Sequence, residues 1–582
     1  MKLRSRKNRG SILMVTMIIM MLAAIVAAGL ASLAVFGFGD VARYEIYKNE
    51  FEVAEAVLAK VFAEIRFLIE YAGPNFTTQI ANIQPPVYKG YVVKNLVINK
   101  IFEDYKTITD PGSPWKGLRL YVIHYRVAAQ VHQDSNTAYR FTHPGVVLTQ
   151  DLELQYVPLY LFAIFYNSNL EIHPGASMVV TGRVHTNATL YCGSDGASLK
   201  LQDYVTAVGN IIHGRDPQSG QGLANGNDSF TNGSSDVSMW DGSKWIDHNY
   251  TNWADVATKR WSNHVFDSAH EVEVLSPPIP LLEDSQGHPD AHALIERANP
   301  SSPEEAPGSS LRQEKFEYKA GLKIVKNPST GNVEGYDEAG NLVSLTYPDP
   351  KDPKTNKSIV SQTTFDDVRE GKTVSSIDVN IANLIESGKS PANGILYLSN
   401  EGAAGVVRMT NASTLPDNVY NGFSIASDDP LYVKGDFNTV NKKYALIASD
   451  ALSVQSNSWN DANSSAAIWY KRNASETTVN GVVFQGIVTT QEVGGAKHYS
   501  GGVENFLRFM ENWGGVNFRF NGSLICLWKS AKAKGWWQYG SPIYTAPNRV
   551  WAWDPIYGGL SGPPGCTRVF HVLRRNWNIH SL

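Results

Sequence analysis

Residues 11–39 read SILMVTMIIMMLAAIVAAGLASLAVFGFG, an uninterrupted run of 29 residues without a charge between Arg9 and Asp40. As an α-helix it would measure about 43 Å, more than the roughly 30 Å hydrocarbon core of a bilayer. It is also longer than the apolar region of a secretory signal peptide, roughly 7–15 residues. Lys2, Arg4, Arg6, Lys7 and Arg9 precede it with no acid among them. Basic flanks remain cytoplasmic. The sequence therefore predicts a single membrane span, a cytoplasmic N-terminus, and an extracytoplasmic body beyond about Asp40.

The helix is expected to outrun the membrane. Ala54, Val57, Leu58, Val61, Phe62, Ile65, Leu68 and Ile69 recur at amphipathic helical spacing. Gly73-Pro74 then ends the pattern. A basic leader over 1–10 and one helix over 11–72, roughly 90 Å long, follow from this.

Composition limits the rest. The chain has 582 residues, enough for two to four domains. With 43% hydrophobic residues it is not wholesale disordered. Charged residues are only 18% and aromatics 11%, which suits an extracytoplasmic β-rich protein. Setting aside the first ten residues takes the formal charge from −4 to −9. A body this acidic gives no electrostatic reason for nucleic-acid binding. Three cysteines without a CxxC exclude a zinc finger and a disulfide-stapled miniature fold. A Cys526–Cys566 bridge is the pairing the sequence favours, reduced thiols being the alternative.

Basic leader, Gly10, uncharged helix and amphipathic half-helix together resemble a type IV prepilin. Gly10-Ser11 stands where prepilin peptidase would cut. Phe51-Glu52-Val53-Ala54-Glu55-Ala56 resembles the N-terminal "AAEA" stretch of PilX-type minor pilins. Val15 stands where most pilins carry a Glu, and PilX-type proteins and the K-type pseudopilin resemble this chain in lacking it. In the family that Glu neutralises a neighbour's terminal amine, so its absence implies a tip or initiating position rather than the shaft. The alternatives are an uncleaved signal anchor with a coiled stalk, and a signal peptide cut near Ala31-Ser32-Leu33-Ala34.

Beyond the helix, residues 73–160 read as an antiparallel β segment, with strands at Tyr91–Ile98, Leu118–Val127 and Val146–Tyr156. A long helix on a small antiparallel sheet is the plan the resemblance implies. Short β-forming runs between Gly, Asn and Asp turns then suggest a β-solenoid-like head, with a β-sandwich as competitor. Its first segment covers 161–275, with a loop insertion over 213–262. An irregular insertion with short strands and a helix is expected over 276–390, the stretch 344–362 being loop. The second solenoid-like segment, with a Trp-rich C-terminal cap, covers 391–582. Gly182–Asn187, Val205–Asn210, Arg369–Val374, Pro430–Asn438, Tyr499–Phe506 and Pro547–Trp551 also resemble large pilin-like proteins of unassigned function from environmental bacteria.

Motifs for catalysis are missing: no P-loop, HExxH, EF-hand loop or GxSxG occurs. No cofactor, metal or enzymatic activity is expected. His173, His185, Cys192 and His213 have no ligand spacing and read as packed or solvated residues. His288 and His292 lie in a Pro-rich stretch unsuited to a helical metal clip. Asp241–Asp255 and Asp428-Asp429 are acidic enough for calcium but lack loop spacing. Trp536, Trp537, Trp551 and Trp553 are the candidate contacts for a surface glycan or partner protein, or else cap a solenoid end.

The expected role is structural: a minor pilin or pseudopilin-like protein assembling or capping a type IV pilus or type II secretion pseudopilus. Other pilin subunits, prepilin peptidase and the inner membrane are the expected partners. An anchored adhesin or carbohydrate-binding protein is the alternative, and a polysaccharide-active β-helix enzyme the third.

Overall fold

The computed structural model describes residues 9–73, 76–134, 145–222, 225–283 and 289–581. Helix α1 runs unbroken over Arg9–Ala72. Its apolar half is exposed all round, and it is long and apolar enough to cross a membrane. The basic residues Lys2 to Lys7 lie outside the described residues, as does His288. Beyond Glu50 one face of α1 is buried, through Ala54, Val57, Leu58, Val61, Ile65 and Ile69. These are the residues at amphipathic spacing, and they pack on an antiparallel sheet.

That sheet has four strands. β1 (Tyr91–Thr107), β2 (Arg119–Gln133) and β3 (Val146–Pro158) follow as a meander. The fourth, Arg568–Ser581, arrives from the far end of the chain and pairs antiparallel with β3. Sequence patterning foresaw the first three and placed the last in a Trp-rich cap. Trp577 instead lies on this strand, edge-on to Phe51 of α1 at 5.6 Å. The head is thereby fastened at both ends to the helix-bearing sheet.

Much of the remaining chain pairs through parallel strands. Phe162–Tyr166, Arg183–Thr186 and Val205–Ala207 pair in parallel, about 21 residues apart. Ile395–Ser399, Gly422–Ser427, Tyr444–Ser449, Thr477–Ile487 and Asn517–Lys529 do likewise. These two series join in one sheet, because Leu524, Ile525 and Cys526 pair with Ile164, Phe165 and Tyr166. A second parallel sheet runs through Lys372–Asn380, Gly405–Thr410, Leu431–Lys434 and Leu452–Gln455. Antiparallel pairs lie beside these series, such as Leu322–Lys326 with Val333–Asp337 and Val360–Asp367 with Lys372–Asn380.

One aliphatic ladder threads the shared sheet. Leu322, Leu396, Ile425, Ile447, Val483, Leu524, Ile164, Val184, Val205 and Val265 are partners in successive registers, and all are buried. Identical positions stack because parallel in-register pairing keeps each side chain on its neighbour's face. The sheet's other face is covered by Leu275, Ile279, Leu294, Leu311 and Phe316, so the Pro-rich stretch forms a lid on the core.

Two loop expectations are corrected. Residues 344–362 form strands Thr346–Asp349 and Asp352–Ser358 and the start of Val360–Asp367, whose Thr, Ser and Lys content masks them as loop. The 213–262 insertion contains strand Asn227–Thr231 and helix Trp253–Arg260, anchored by buried Trp253, Ala257 and Trp261.

Candidate functional site

At the seam between α1 and the sheet, the helix passes from an exposed apolar half to a half with one buried face. Glu50, 1% exposed, opens the buried face and accepts a hydrogen bond from the backbone N–H of Gln133 at 2.8 Å. Further along, the Arg574 guanidinium lies 4.1 Å from the Phe62 ring centre, a cation–π contact from the C-terminal strand. Gly10 and Ser11 fall in the first turns of α1, on its membrane side.

The four candidate tryptophans are half-buried and each has an intramolecular neighbour. Trp536 stacks on His498 at 3.9 Å. Trp537 donates from Nε1 to the Tyr544 hydroxyl at 3.0 Å. Trp551 packs against Phe520, and Trp553 donates to the Tyr160 carbonyl at 3.0 Å. Much of the aromatic density therefore closes the body's own surface. Trp513 and Trp528 lie inside it.

The expected Cys526–Cys566 bridge is absent, since Cys192, Cys526 and Cys566 are free thiols. Cys526 is interior on its strand, whereas Cys566 lies in a loop by Tyr160. Burial pushes the Cys566 thiol up to about 12 and raises the other two as well.

The histidines have private partners rather than a common centre. His185 is fully buried, held by Thr206 Oγ1 at 2.7 Å and Asn187 Oδ1 at 3.0 Å, with burial lowering its pKa to about 4. His173 meets the Gly214 carbonyl at 2.6 Å, and His213 meets Asp228 at 2.9 Å while stacking on Trp245. Among the described residues no group of three or more His, Cys, Asp or Glu side chains is arranged to hold a metal. Lys532 occupies the centre between Asp428 and Asp429, at 2.9 and 2.6 Å, where a cation would sit. Asp241 is used in a turn, accepting from the backbone N–H groups of Ser243 and Lys244.

Sequence reasoning passed over the buried charges. Arg408 is 1% exposed and donates to Asp378 at 3.0 Å and to Asp461 at 2.6 Å, tying neighbouring coils together. Glu171 and Glu504 are buried near one another, and burial lifts each to about 7. No local motif announces them, since Arg408 and Glu171 take partners 30 or more residues away in sequence.

No family model matches the chain, and no curated protein does. Among solved structures, the competence-associated pilin ComZ from Thermus thermophilus aligns over 92% of this chain and 97% of that one. Identity is 12% and the TM-score is 0.26. The fold class is fixed by the elements described above: a long N-terminal apolar helix followed by a large β-rich body.

Proposed function

We propose that this chain is a membrane-anchored structural protein of pilin type, a minor pilin or pseudopilin-like subunit with an outsized, β-solenoid-like head. The observation that supports it most is the continuity of α1. A single helix passes from an all-round apolar half into a half whose one apolar face is seated on an antiparallel sheet. Such a helix anchors a subunit in a bilayer and, once extracted, offers the same apolar surface to neighbouring helices.

On this reading the N-terminus is cytoplasmic, prepilin peptidase cuts between Gly10 and Ser11, and the head stands outside the cell. Other pilin subunits pack along α1, in a type IV pilus or a type II secretion pseudopilus. Val15 favours a tip or initiating place. The role is mechanical rather than enzymatic.

Mass spectrometry of the mature N-terminus, in cells with and without prepilin peptidase, tests this. A chain starting at Ser11 only when the peptidase is present is the expected result. A Met1 start in both strains overturns the pilin assignment and leaves an anchored surface protein. A start near residue 35 overturns the anchor itself.

A further inference from the structure

Where the helix-bearing sheet meets the coiled body there is an open groove of about 980 Å³. That is the size of a ligand site rather than a packing fault. It lies at the end of α1 remote from the apolar half, beside Ile69 and Gly73. Tyr121, Tyr156, Tyr160 and Tyr420 line it, Tyr420 being 58% exposed and Tyr160 buried. Gly562 lies against the Tyr160 ring so closely that a Cβ there would be 2.1 Å from a ring carbon, which fixes the floor loop.

Two arginines belong to this region. Arg568 lines the groove, and Arg119 lines a small recess that shares Tyr121, Tyr156 and Arg568 with it. Both arginines are exposed, and neither side chain has a hydrogen bond or ion pair among the described residues. Arg568 pairs with Pro158 across the strands, and Tyr121 pairs with Tyr156 two residues further along β3. A positive row thus runs beside an aromatic row. Two carboxylates share the groove: Glu103, which accepts from the Tyr121 hydroxyl at 2.7 Å, and Glu314, 3.3 Å from Lys319.

We infer that this groove binds an acidic oligosaccharide, a sugar chain carrying uronic carboxylates. Each lining group then has a counterpart. The exposed Tyr420 ring stacks on the C–H face of a sugar ring. Free guanidiniums donate in pairs to a carboxylate. Glu103 and Glu314 accept from sugar hydroxyls. A single-stranded nucleic acid would also stack on tyrosines and pair with arginines, but its phosphodiester backbone offers few hydroxyl donors to Glu103 and Glu314. The hydroxyl-rich ligand satisfies both signs of charge. This inference does not depend on the pilin reading, because the groove is complete within one chain.

The test uses the full chain in detergent micelles, titrated with 1,4-linked tetragalacturonate by calorimetry. Cellotetraose and a twelve-residue thymidine oligonucleotide serve as the neutral and nucleic-acid probes. Saturable tetragalacturonate binding is expected, with cellotetraose at least tenfold weaker. Arg568→Ala and Arg119→Ala should each weaken binding about tenfold, Arg568→Lys less, and Tyr420→Ala severalfold, all with unchanged thermal unfolding. These side chains are exposed, so the variants leave the core intact. Equal affinity for cellotetraose, tighter binding of the oligonucleotide, binding indifferent to all four substitutions, or no binding at millimolar probe would each overturn the proposal.

Discussion

Glu50 on α1 and Gln133 at the end of β2 are joined by a 2.8 Å hydrogen bond from the Gln133 backbone N–H to the carboxylate, with Glu50 only 1% exposed. The bond sits where the helix leaves its fully apolar half and begins to be covered. It ties α1 to the end of β2.

Replacing Glu50 with Ala takes the acceptor from a half-buried backbone N–H, at a cost of about 0.5–1.5 kcal/mol. Glu50→Gln keeps an oxygen acceptor and should lose less. Hydrogen exchange at the Gln133 amide reads this directly. Faster exchange in Glu50→Ala, with the coiled body unaffected, is the expected result. Unchanged exchange would mean that the aliphatic face of α1 alone sets the register.

The aliphatic ladder makes a second prediction. Val483, Leu524 and Ile164 are successive partners, yet the first two and the third come from opposite ends of the head. Leu524→Ala at this junction should cost about 2–5 kcal/mol through lost burial and the cavity left behind. Because the ladder is continuous, denaturation followed from buried Trp261, among the early coils, and from Trp513, among the late ones, should shift together. Separate transitions would show two independently folding stacks.

That junction also marks the limit of what the sequence makes legible. The helix reads clearly because charge exclusion and apolar spacing are local signals along residues 11–69. Individual rungs such as Leu431–Lys434 read as short β runs for the same reason. The pairing of Leu524 with Ile164 has no local signature, since parallel partners impose only an apolar residue on each other. The C-terminal strand escaped notice because Arg574, Arg575, Asn576 and Asn578 break its alternation, although its inward Phe570 and Val572 are buried against α1's sheet. The groove was invisible for a similar reason. Arg119, Tyr420 and Arg568 are ordinary surface residues until the chain brings them together.

Buried carboxyls predict how stability depends on pH. Glu171, Glu504 and Glu511 are each raised to about 7, foremost by burial. A carboxyl whose folded pKa exceeds its unfolded value holds its proton more tightly when folded. Its contribution is complete below about 4.5 and is lost as pH rises through about 7. His173 and His185, lowered to about 4, act oppositely and lose stability as pH falls below about 6.5. Comparing variants isolates the carboxyls. Glu171→Gln keeps an acceptor for Thr490 and Ser500 and removes the titration. Its melting temperature relative to the parent should rise between pH 5 and 8. A difference constant across that range would show that Glu171 titrates normally.

The Arg408 cluster gives the most demanding test, because removing a charge and removing a pair predict different outcomes. Arg408 is held by Asp378, Asp461, Gln455 and Thr363, and its guanidinium lies 4.8 Å from the Phe365 ring centre. Asp378 is only 6% exposed, so Arg408→Met leaves its carboxylate buried without a counter-charge. Breaking one side of such a pair costs about 3–5 kcal/mol. In Arg408→Met combined with Asp378→Asn the uncompensated charge is gone, and much of that loss should return. Asp461 is partly exposed and can be solvated, so Asp461→Asn alone should cost less than Asp378→Asn. Chemical denaturation of the three single variants and the double variant closes the cycle. If the double variant is as unstable as the sum of the singles, Arg408 and Asp378 are not energetically coupled. The cluster would then hold the coils through packing against Phe365 rather than through charge.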